Sequence, residues 1–273
     1  MSRTDFPSLP NNARIAVLVT VMFESFSEGK APPYSPMTTA LKPGTRDLLG
    51  ISWARYGGKT GIWRFLRILD DTDIKATVCL NAKAAELFPA AVKELYNRGH
   101  EIAGHSYTQD LVLPYLSPAE EKEVIQRCKR IIENAVGTPP VGWFSPVAAP
   151  TAHTAEFLAE ESFIWHGDYN DADLPYLLET PKGKLVAIAH SDFTDNRTLR
   201  SSPRDFYNVY KDTFDYLHKH EAPSLLNLTV HCHFGGRPLM SAMLHELLRY
   251  MKGFPDVWFA RHDEVARWVL AQN

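Results

Sequence analysis

The chain has 273 residues, a formal net charge of −3 and 45 % hydrophobic residues, which fits one globular domain with a sizeable core. Basic residues form no cluster larger than scattered pairs, so nothing indicates a nucleic-acid or anionic membrane partner. Three cysteines without CxxC spacing argue against disulfides and for a reducing compartment. The first residues lack the apolar core of a secretory signal, and no apolar stretch reaches the ~20 residues of a membrane span. We therefore expect a cytoplasmic protein.

Strand-like apolar segments run through the chain, and each stops at a polar residue. The first, RIAVLVTVMF at 14–23, is followed by Glu24. Six further segments stop in the same way, at Asn81, His105, Ser145, Asp168, His190 and His231. In a parallel α/β fold the carboxyl ends of all strands open on one rim, which carries the active site. The pattern therefore indicates an enzyme.

Helical patterns separate these segments. The spacing of apolar residues predicts helices at 57–71, 83–98 with a break near Pro89, 117–135, 151–161, 203–219, 238–252 and 262–271, and a last strand at 257–260. Ser117 and Glu120 have the spacing of a capping box, which marks the start of the clearest helix. About eight strands alternating with helices imply a parallel sheet, and closure into a (β/α) barrel is the simplest arrangement.

One long segment, residues 28–58, has no clear periodicity and is rich in Pro and Gly. Long irregular segments in compact domains are usually functional lids, arms packed on a neighbouring subunit, or disordered, and all three stay open here. Its aromatic residues Tyr34, Trp53 and Tyr56 are candidates for closing the site or for subunit contacts. No repeat or composition shift divides the chain, so we expect a single domain over residues 1–273.

Two of the polar strand ends suit acid–base chemistry. Glu24 follows the first strand, and a carboxylate there suits a general base or a metal ligand. The alternative is an ordinary strand-end acid that faces water. His105 follows the short strand HEIAG, where catalysis and a structural role beneath the rim are both compatible with the pattern.

The segment VHCHFGGRP places His231 and His233 two residues apart. If the strand continues through them, alternation puts both imidazoles on one face. Pairs at this spacing occur in metal sites and also in hydrogen-bonded rims, so both readings stay open. Arg237, after the turn, could bind a carboxylate or a carbonyl group.

Asp168, Asp171 and Asp173 form a carboxylate-rich loop. An EF-hand is excluded, because no Gly stands at the sixth loop position and no Glu at the last. One of these acids is expected to orient a catalytic imidazole, and Asp192 and Asp195 follow the next predicted strand. The sequence contains no GxSxG, GxGxxG, Walker or HExxH motif, so it gives no support for a nucleotide cofactor or for serine-hydrolase chemistry.

Eight segments in a fixed order carry a resemblance across nearly the whole chain: MFES, RYGGKTGIWRFL, RGHEIAGHSYT, GWFSP, GDYNDADLPY, DFYNVYKDTFDYL, VHCHFGGRP and VWFARHDEVARW. They resemble the polysaccharide deacetylase superfamily of carbohydrate esterases. Within it they are similar to the branch of the cofactor-free bacterial allantoinase and the cyclic imide hydrolases. The resemblance implies an α/β fold, a distorted (β/α) barrel of seven or eight strands of the polysaccharide deacetylase type. It also implies hydrolysis of a carbon–nitrogen bond and a homo-oligomer, a dimer or a tetramer.

The departures from the sugar deacetylases of this superfamily concern metal binding. Those enzymes carry an Asp-Asp pair after the first strand, a base and then a metal ligand, whereas Glu24 and Ser25 stand here. They also carry His-x-x-x-His after the third strand, whereas here His105 is followed by Gln109. Ser and Gln bind Zn²⁺ poorly, so we expect the metal-dependent mechanism to be lost. The allantoinase-like branch shows the same kind of loss.

A metal in a non-standard site stays an alternative. His166 and His233 stand where that branch has other residues, and with His105 and Glu24 they could form a site of different geometry. We therefore expect either no cofactor or a divalent metal such as zinc, with His105, His166 and His233 as candidate ligands.

The hypothesis from the sequence is a hydrolase that cleaves a small linear or cyclic amide, imide or ureide with base-activated water. Glu24 would activate the water, and His231, backed by Asp168, would protonate the leaving nitrogen. His105 and backbone N–H groups near Ser145 and Pro146 would stabilise the oxyanion. The candidates for substrate contacts are Asn81, Ser145, Asp173 and Arg237.

Two other functions stay open. One is an N-deacetylase of an acetylated sugar or small molecule with a rebuilt metal site. The other is a catalytically inactive relative that serves as a binding or scaffold protein. The cluster of ionisable groups on one rim argues against the inactive protein, because a site without activity has no reason to keep them.

Overall fold

The computed structural model describes residues 6–35, 41, 42, 44–199 and 201–272. Within them nine strands form one sheet. They are β1 Ile15–Phe23, β2 Thr77–Leu80, β3 Glu101–Gly104, β4 Gly142–Trp143, β5 Trp165–His166, β6 Tyr176–Thr180, β7 Gly183–Ala187, β8 Ser224–His231 and β9 Val257–Ala260. All the strands predicted from the sequence are present, although several are shorter than predicted.

The strand β1 lies at the centre of the sheet, where it pairs in parallel with β2, β8 and β9. Every residue of β1 is buried, which explains why its sequence is a continuous apolar run. The strand order is β6-β7-β5-β4-β3-β2-β1-β8. The sheet curls until Thr194, beyond β7, forms a parallel bridge with Thr229 of β8. The predicted α/β fold, a distorted (β/α) barrel, is confirmed.

Helices connect the strands at the predicted places, and one helix that was not predicted, α1, precedes them. They are α1 Leu48–Tyr56, α2 Ile62–Thr72, α3 Ala82–Leu87, α4 Pro89–Asn97, α5 Pro118–Val136, α6 Thr154–Glu160, α7 Pro203–His220, α8 Pro238–Lys252 and α9 His262–Ala271. Pro89 separates α3 from α4, and Ser117 and Glu120 form the predicted capping box at the start of α5. Among the described residues, no helix combines the length and the apolar character that crossing a membrane requires.

The sequence analysis missed β6, which it treated as part of a loop. β6 pairs with β7 in antiparallel orientation, whereas the other pairs among the described strands are parallel. It follows Pro175 at the end of the acidic loop and forms the edge of the sheet. Its residues are exposed or only half-buried, so neither an apolar run nor a clear alternation marks it.

The prediction of an irregular segment at 28–58 was wrong for its second half. From Leu48 the chain is helical through α1, a π-helical turn at Gly57–Gly61, and α2. Asp47 begins α1 by accepting a hydrogen bond from the Gly50 amide at 2.8 Å. Leu48 and Leu49 are exposed, so apolar residues on both faces of α1 hide its helical periodicity. Residues 36–40 and 43 of the segment lie outside the described residues.

The π-helical turn brings its backbone against the turn that follows β8. A Cβ atom added at Gly61 would lie 2.0 Å from the carbonyl oxygen of Cys232. A Cβ atom added at Gly236 would lie 2.5 Å from the Cα atom of Gly61. Only glycine allows this approach. The contact holds in place the turn that follows His231 and carries His233. Turns of this kind recur at functional sites.

Replacing Gly61 by Ala should destabilise the protein, because the new methyl group must displace the Cys232 backbone. We expect a loss of about 1–3 kcal/mol in the free energy of unfolding, the usual effect of overpacking. Chemical denaturation measures the change. Thr60→Ala, in the same turn and without this contact, is the control and should change stability by less than ~0.5 kcal/mol. Equal stability of the two variants would contradict the prediction.

Candidate active site

The polar residues at the strand ends surround one open cleft of about 450 Å³. Glu24 after β1, His105 after β3 and His231 at the end of β8 line it together. Tyr34 reaches it from the segment between β1 and α1. Other polar lining residues include Gln109, His190, Ser191, Asp192, Asn196 and Arg197. The rim predicted from the strand ends therefore holds a cleft with ionisable groups.

Glu24 lies among three imidazoles. Its Oε1 atom is 3.5 Å from Nε2 of His231 and 3.9 Å from Nε2 of His105. Its Oε2 atom is 3.8 Å from Nδ1 of His233. The same oxygen accepts a hydrogen bond of 3.2 Å from the hydroxyl of Tyr34. The three residues predicted to carry the chemistry, Glu24, His105 and His231, are thus brought together.

The charge of Glu24 is compensated by its neighbours. Burial by itself would raise the pKa of Glu24, but the charge of His231, with contributions from His105 and His233, lowers it to about 2. Glu24 is therefore ionised at neutral pH, although its side chain is only 1 % exposed. A buried charge is stable when it is paired, and His231 is the main partner of Glu24.

His231 is held by Asp195. Its Nδ1 atom donates to Oδ1 of Asp195 at 2.5 Å, and its backbone amide donates to Oδ2 at 2.7 Å. Burial would lower the pKa of His231, but Asp195 and Glu24 raise it to about 9. At neutral pH the imidazole is therefore protonated. The cleft combines an ionised carboxylate with a protonated imidazole.

The prediction that Asp168 backs His231 was wrong. Asp168 accepts hydrogen bonds from Nε2 of His166 at 2.6 Å and from the amide of Ser145 at 2.8 Å. Asp168 follows β5, which lies on the far side of β4, β3, β2 and β1 from β8. The loop after β7 bridges to β8 instead, and this bridge brings Asp195 to His231.

The tautomer of His105 is fixed by the backbone. Its Nδ1 atom is 2.6 Å from the carbonyl oxygen of Phe144, and because a carbonyl only accepts, Nδ1 carries the hydrogen. In the neutral ring Nε2 then presents a lone pair, and it has no hydrogen-bond partner among the described residues. This geometry does not suit the oxyanion-stabilising role predicted for His105. It suits an acceptor that holds a water molecule.

His233 lies beside His231 on the same face, as strand alternation predicts, with the ring centroids 5.7 Å apart. Its Nε2 atom is 3.1 Å from the hydroxyl of Tyr34, and its ring is 4.9 Å from that of Trp53. Burial lowers the pKa of His233 to about 4, so the ring is neutral at physiological pH. Tyr34 therefore joins His233 to Glu24.

The residues present do not fit a divalent metal. In the part of the chain that the structure describes, no three His, Cys, Asp or Glu side chains are arranged to hold a metal ion. The predicted set of His105, His166 and His233 is not formed, because His166 is the last residue of β5 and is hydrogen-bonded to Asp168.

Asn81 and Ser145 were predicted to contact substrate, and the structure gives both a structural role instead. Asn81 accepts from the amide of Ser25 at 2.8 Å, donates to the carbonyl oxygen of His105, and is fully buried. It thereby ties together the loops that carry Glu24 and His105. The hydroxyl of Ser145 accepts from the indole N–H of Trp143 at 3.0 Å. Neither side chain is available to a ligand.

Arg237 and Asp173 also lie outside the cleft. The guanidinium of Arg237 is stacked on the ring of Tyr56, 3.9 Å from its centroid, and donates to the carbonyl oxygen of His233 at 3.2 Å. It fastens α1 to the turn after β8. Asp173 is exposed and lines a different cavity. The predicted substrate contacts of both residues are therefore not formed in the cleft.

Three members of the site were not assigned from the sequence. Asp195 was noted only as an acid after a strand, and Tyr34 only as an aromatic residue of the segment 28–58. His190, another strand end, lines the cleft and packs on the ring of Phe144, with centroids 4.3 Å apart. Burial lowers the pKa of His190 to about 3. Asp195 and His190 follow a predicted strand, which marks both as candidates for the rim. The sequence does not show which imidazole Asp195 contacts.

Comparison with known proteins identifies a matching family model and several similar proteins. The family model described as "Polysaccharide deacetylase" matches residues 54–161, a range that includes His105. A peptidoglycan deacetylase of Helicobacter pylori is 21 % identical over 259 residues, which are 82 % of this chain and 88 % of that protein. A peptidoglycan deacetylase-like protein of Gibberella zeae is 29 % identical over 260 residues, 79 % of this chain and 77 % of that protein.

Among solved structures, that of Puue allantoinase superposes with a TM-score of 0.88 at 28 % identity, over 100 % of this chain and 96 % of that one. This neighbour fits the branch that the sequence resembles. The protein is a hydrolase that acts on carbon–nitrogen bonds other than peptide bonds. The match to the polysaccharide deacetylase model, the barrel and the similar proteins agree with the family that the sequence resembles.

Proposed function

We propose that the protein hydrolyses a carbon–nitrogen bond of a small linear or cyclic amide, imide or ureide. The observation that carries the proposal is the pairing of ionised Glu24 with protonated His231, whose Nε2 atom is 3.5 Å from Oε1. Amide hydrolysis needs a base for the attacking water and an acid for the leaving nitrogen. At neutral pH the two residues have the protonation states that these roles require.

In this proposal Glu24 and His105 would hold the attacking water. Oε1 of Glu24 and Nε2 of His105 are 3.9 Å apart, too far for a direct hydrogen bond, and each can accept one. A water molecule between them would donate a hydrogen to each and keep a lone pair for the carbonyl carbon. Glu24 would take the proton as the new C–O bond forms.

His231 would then give its proton to the leaving nitrogen. Its Nδ1 atom is engaged by Asp195, so Nε2 is the ring donor that remains for the cleft. The charge of His231 is also the main cause that lowers the pKa of Glu24. As His231 loses its proton, Glu24 becomes a stronger base. Proton release by His231 therefore favours proton uptake by Glu24, and the reverse is also true.

The oxyanion would be stabilised by the turn after β4. Val147 in this turn lines the cleft and has a positive φ of 53°, an unfavourable conformation for a β-branched residue. No acceptor for its backbone N–H is found among the residues that the structure describes. Because the amide of Ser145 is used by Asp168, the Val147 amide is the free donor near the predicted position.

Two observations favour a small substrate over a polymer. The cleft, at about 450 Å³, has the size of a small-molecule site. One structure that superposes over the whole chain is an allantoinase, and allantoin is a cyclic ureide. Tyr34 narrows the cleft by its hydrogen bond to Glu24, which supports the reading of this part of the segment 28–58 as a lid.

A metal-dependent N-deacetylase of an acetylated sugar is the second candidate. The matched domain and the two peptidoglycan deacetylase relatives favour it. Ser25 and Gln109 stand at two positions that carry metal ligands in the sugar deacetylases that the sequence resembles. This candidate would therefore require a metal site built from other residues.

Glu24→Gln should abolish turnover, because the amide cannot accept the proton of the attacking water. We expect kcat to fall by at least about 10²-fold, the lower bound for loss of a general base. A coupled assay for ammonia or carboxylate release measures it, on a substrate found by screening hydantoins, cyclic imides, allantoin and N-acetylated amines. Glu123→Gln, an exposed acid of α5, is the control. Near-normal turnover of Glu24→Gln, with a folded control, would remove Glu24 from the mechanism.

Asp195→Asn should move the alkaline limb of the pH–rate profile to lower pH. His231 must be protonated to act, so activity is lost as the pH rises through its pKa, about 9 in the wild-type protein. Without the Asp195 charge the pKa falls toward the ordinary value for His. The measurement is kcat/KM between pH 6 and 10. Asp212→Asn, an exposed acid of α7, should leave the limb in place, and an unshifted limb in Asp195→Asn would contradict the acid role of His231.

Dialysis against a chelator should leave the activity intact, because the donor set does not fit a metal. Metal analysis before and after dialysis, with activity measured on the same samples, tests this. Stoichiometric zinc that is lost together with activity, and restored with it, would favour the metal-dependent deacetylase.

A further inference from the structure

A second cavity, of about 230 Å³, lies beside the segment that follows β1 and is separate from the cleft. Its walls are residues 24–30, α1 and α3, and Glu24 lines both cavities. Four cationic side chains line it: Lys30, Arg46, Arg55 and Lys83. The mechanism proposed for the cleft uses none of the four.

Three of these cations form no ion pair with any residue that the structure describes. Lys83 is paired with Glu86 at 3.0 Å. Within the described residues, no carboxylate pairs with Lys30, Arg46 or Arg55. The opposing acids that line the cavity are Glu28 and Glu24, and Glu24 is already compensated by its imidazoles. The cavity therefore has a positive potential that attracts an anion.

Another part of the wall is apolar. It is formed by Phe26, Ile51, Ala54, Leu87 and Phe88. A site of this composition binds a ligand that has an apolar body and a charged end, because the apolar part gains from burial and the charge fixes the orientation. A bare inorganic anion would leave the aromatic side chains uncovered.

The wall beside Glu24 is held in place by hydrogen bonds. The Ser25 amide donates to Oδ1 of Asn81 at 2.8 Å, and the Ser27 amide donates to Oδ1 of Asp110 at 2.8 Å. The Gln109 amide donates to the carbonyl oxygen of Ser25, also at 2.8 Å. A ligand therefore meets a preformed surface on this side, which reduces the entropy lost on binding.

We propose that this cavity binds a small carboxylate with an apolar body. Arg46 and Arg55 recognise the carboxylate, for which a guanidinium group offers two parallel donors. The apolar body packs against Phe26 and Phe88. The site is independent of the substrate hydrolysed in the cleft, but a ligand bound here lies next to the catalytic carboxylate and would influence its charge.

Isothermal titration calorimetry of the full chain tests the proposal with three probes: phenylacetate, its neutral analogue phenylacetamide, and inorganic phosphate. We expect phenylacetate to bind with a stoichiometry of one and the other two at least about tenfold more weakly, since each lacks one of the two interactions. The double variant Arg46→Gln/Arg55→Gln should weaken phenylacetate binding by about tenfold or more. Both residues are exposed, and thermal unfolding checks that the fold is kept.

The matched control is Arg130→Gln/Arg249→Gln, which removes the same charge from exposed positions on α5 and α8. It should leave the affinity for phenylacetate unchanged. An equal loss in both double variants would show a general charge effect and overturn the site. Equal affinity for phenylacetamide or for phosphate would overturn the ligand class, and unchanged binding in Arg46→Gln/Arg55→Gln would place the ligand elsewhere.

Discussion

The ionised carboxylate of Glu24, buried at the end of the central strand, is the interaction on which the rest of the site depends. Removing a carboxylate from water costs several kcal/mol unless opposite charge and hydrogen bonds compensate it. His231 supplies the charge, Asp195 keeps His231 protonated, and Tyr34 supplies a hydrogen bond. The β8 turn, the loop after β7 and the segment before α1 therefore meet at one carboxylate. The contacts that stabilise this region are also those that set up acid–base chemistry.

The helical segment 48–72 supports this arrangement from outside. Its π-helical turn has glycines where the backbone of the β8 turn approaches within contact distance. Arg237 adds a cation–π contact with Tyr56 and a hydrogen bond to the His233 carbonyl. His233 is thus packed between a fixed backbone and Trp53, where burial keeps it neutral. A neutral ring beside protonated His231 avoids the repulsion that two adjacent cations would produce.

The chain has a barrel of the polysaccharide deacetylase type, with polar residues at the carboxyl ends of its strands. Ser25 and Gln109 stand where the sugar deacetylases that the sequence resembles carry metal ligands, and protonated His231 compensates the charge of Glu24. The polar strand ends Asn81 and Ser145 are used to hold the loops rather than to meet a ligand. The rim therefore contains both reactive and structural polar groups, and their spacing in the sequence does not distinguish them.

The sequence by itself determined most of the strands and helices, the barrel and the strand ends Glu24, His105 and His231, because periodicity reports burial and strand ends share one rim. It could not choose between Asp168 and Asp195, since that choice depends on which loop bridges to β8. The edge strand β6 and helix α1 were missed because partly exposed elements carry a weak pattern. The sequence also could not predict the protonation states of the site residues. They follow from burial and from charges distant in the chain, which only the tertiary structure brings together.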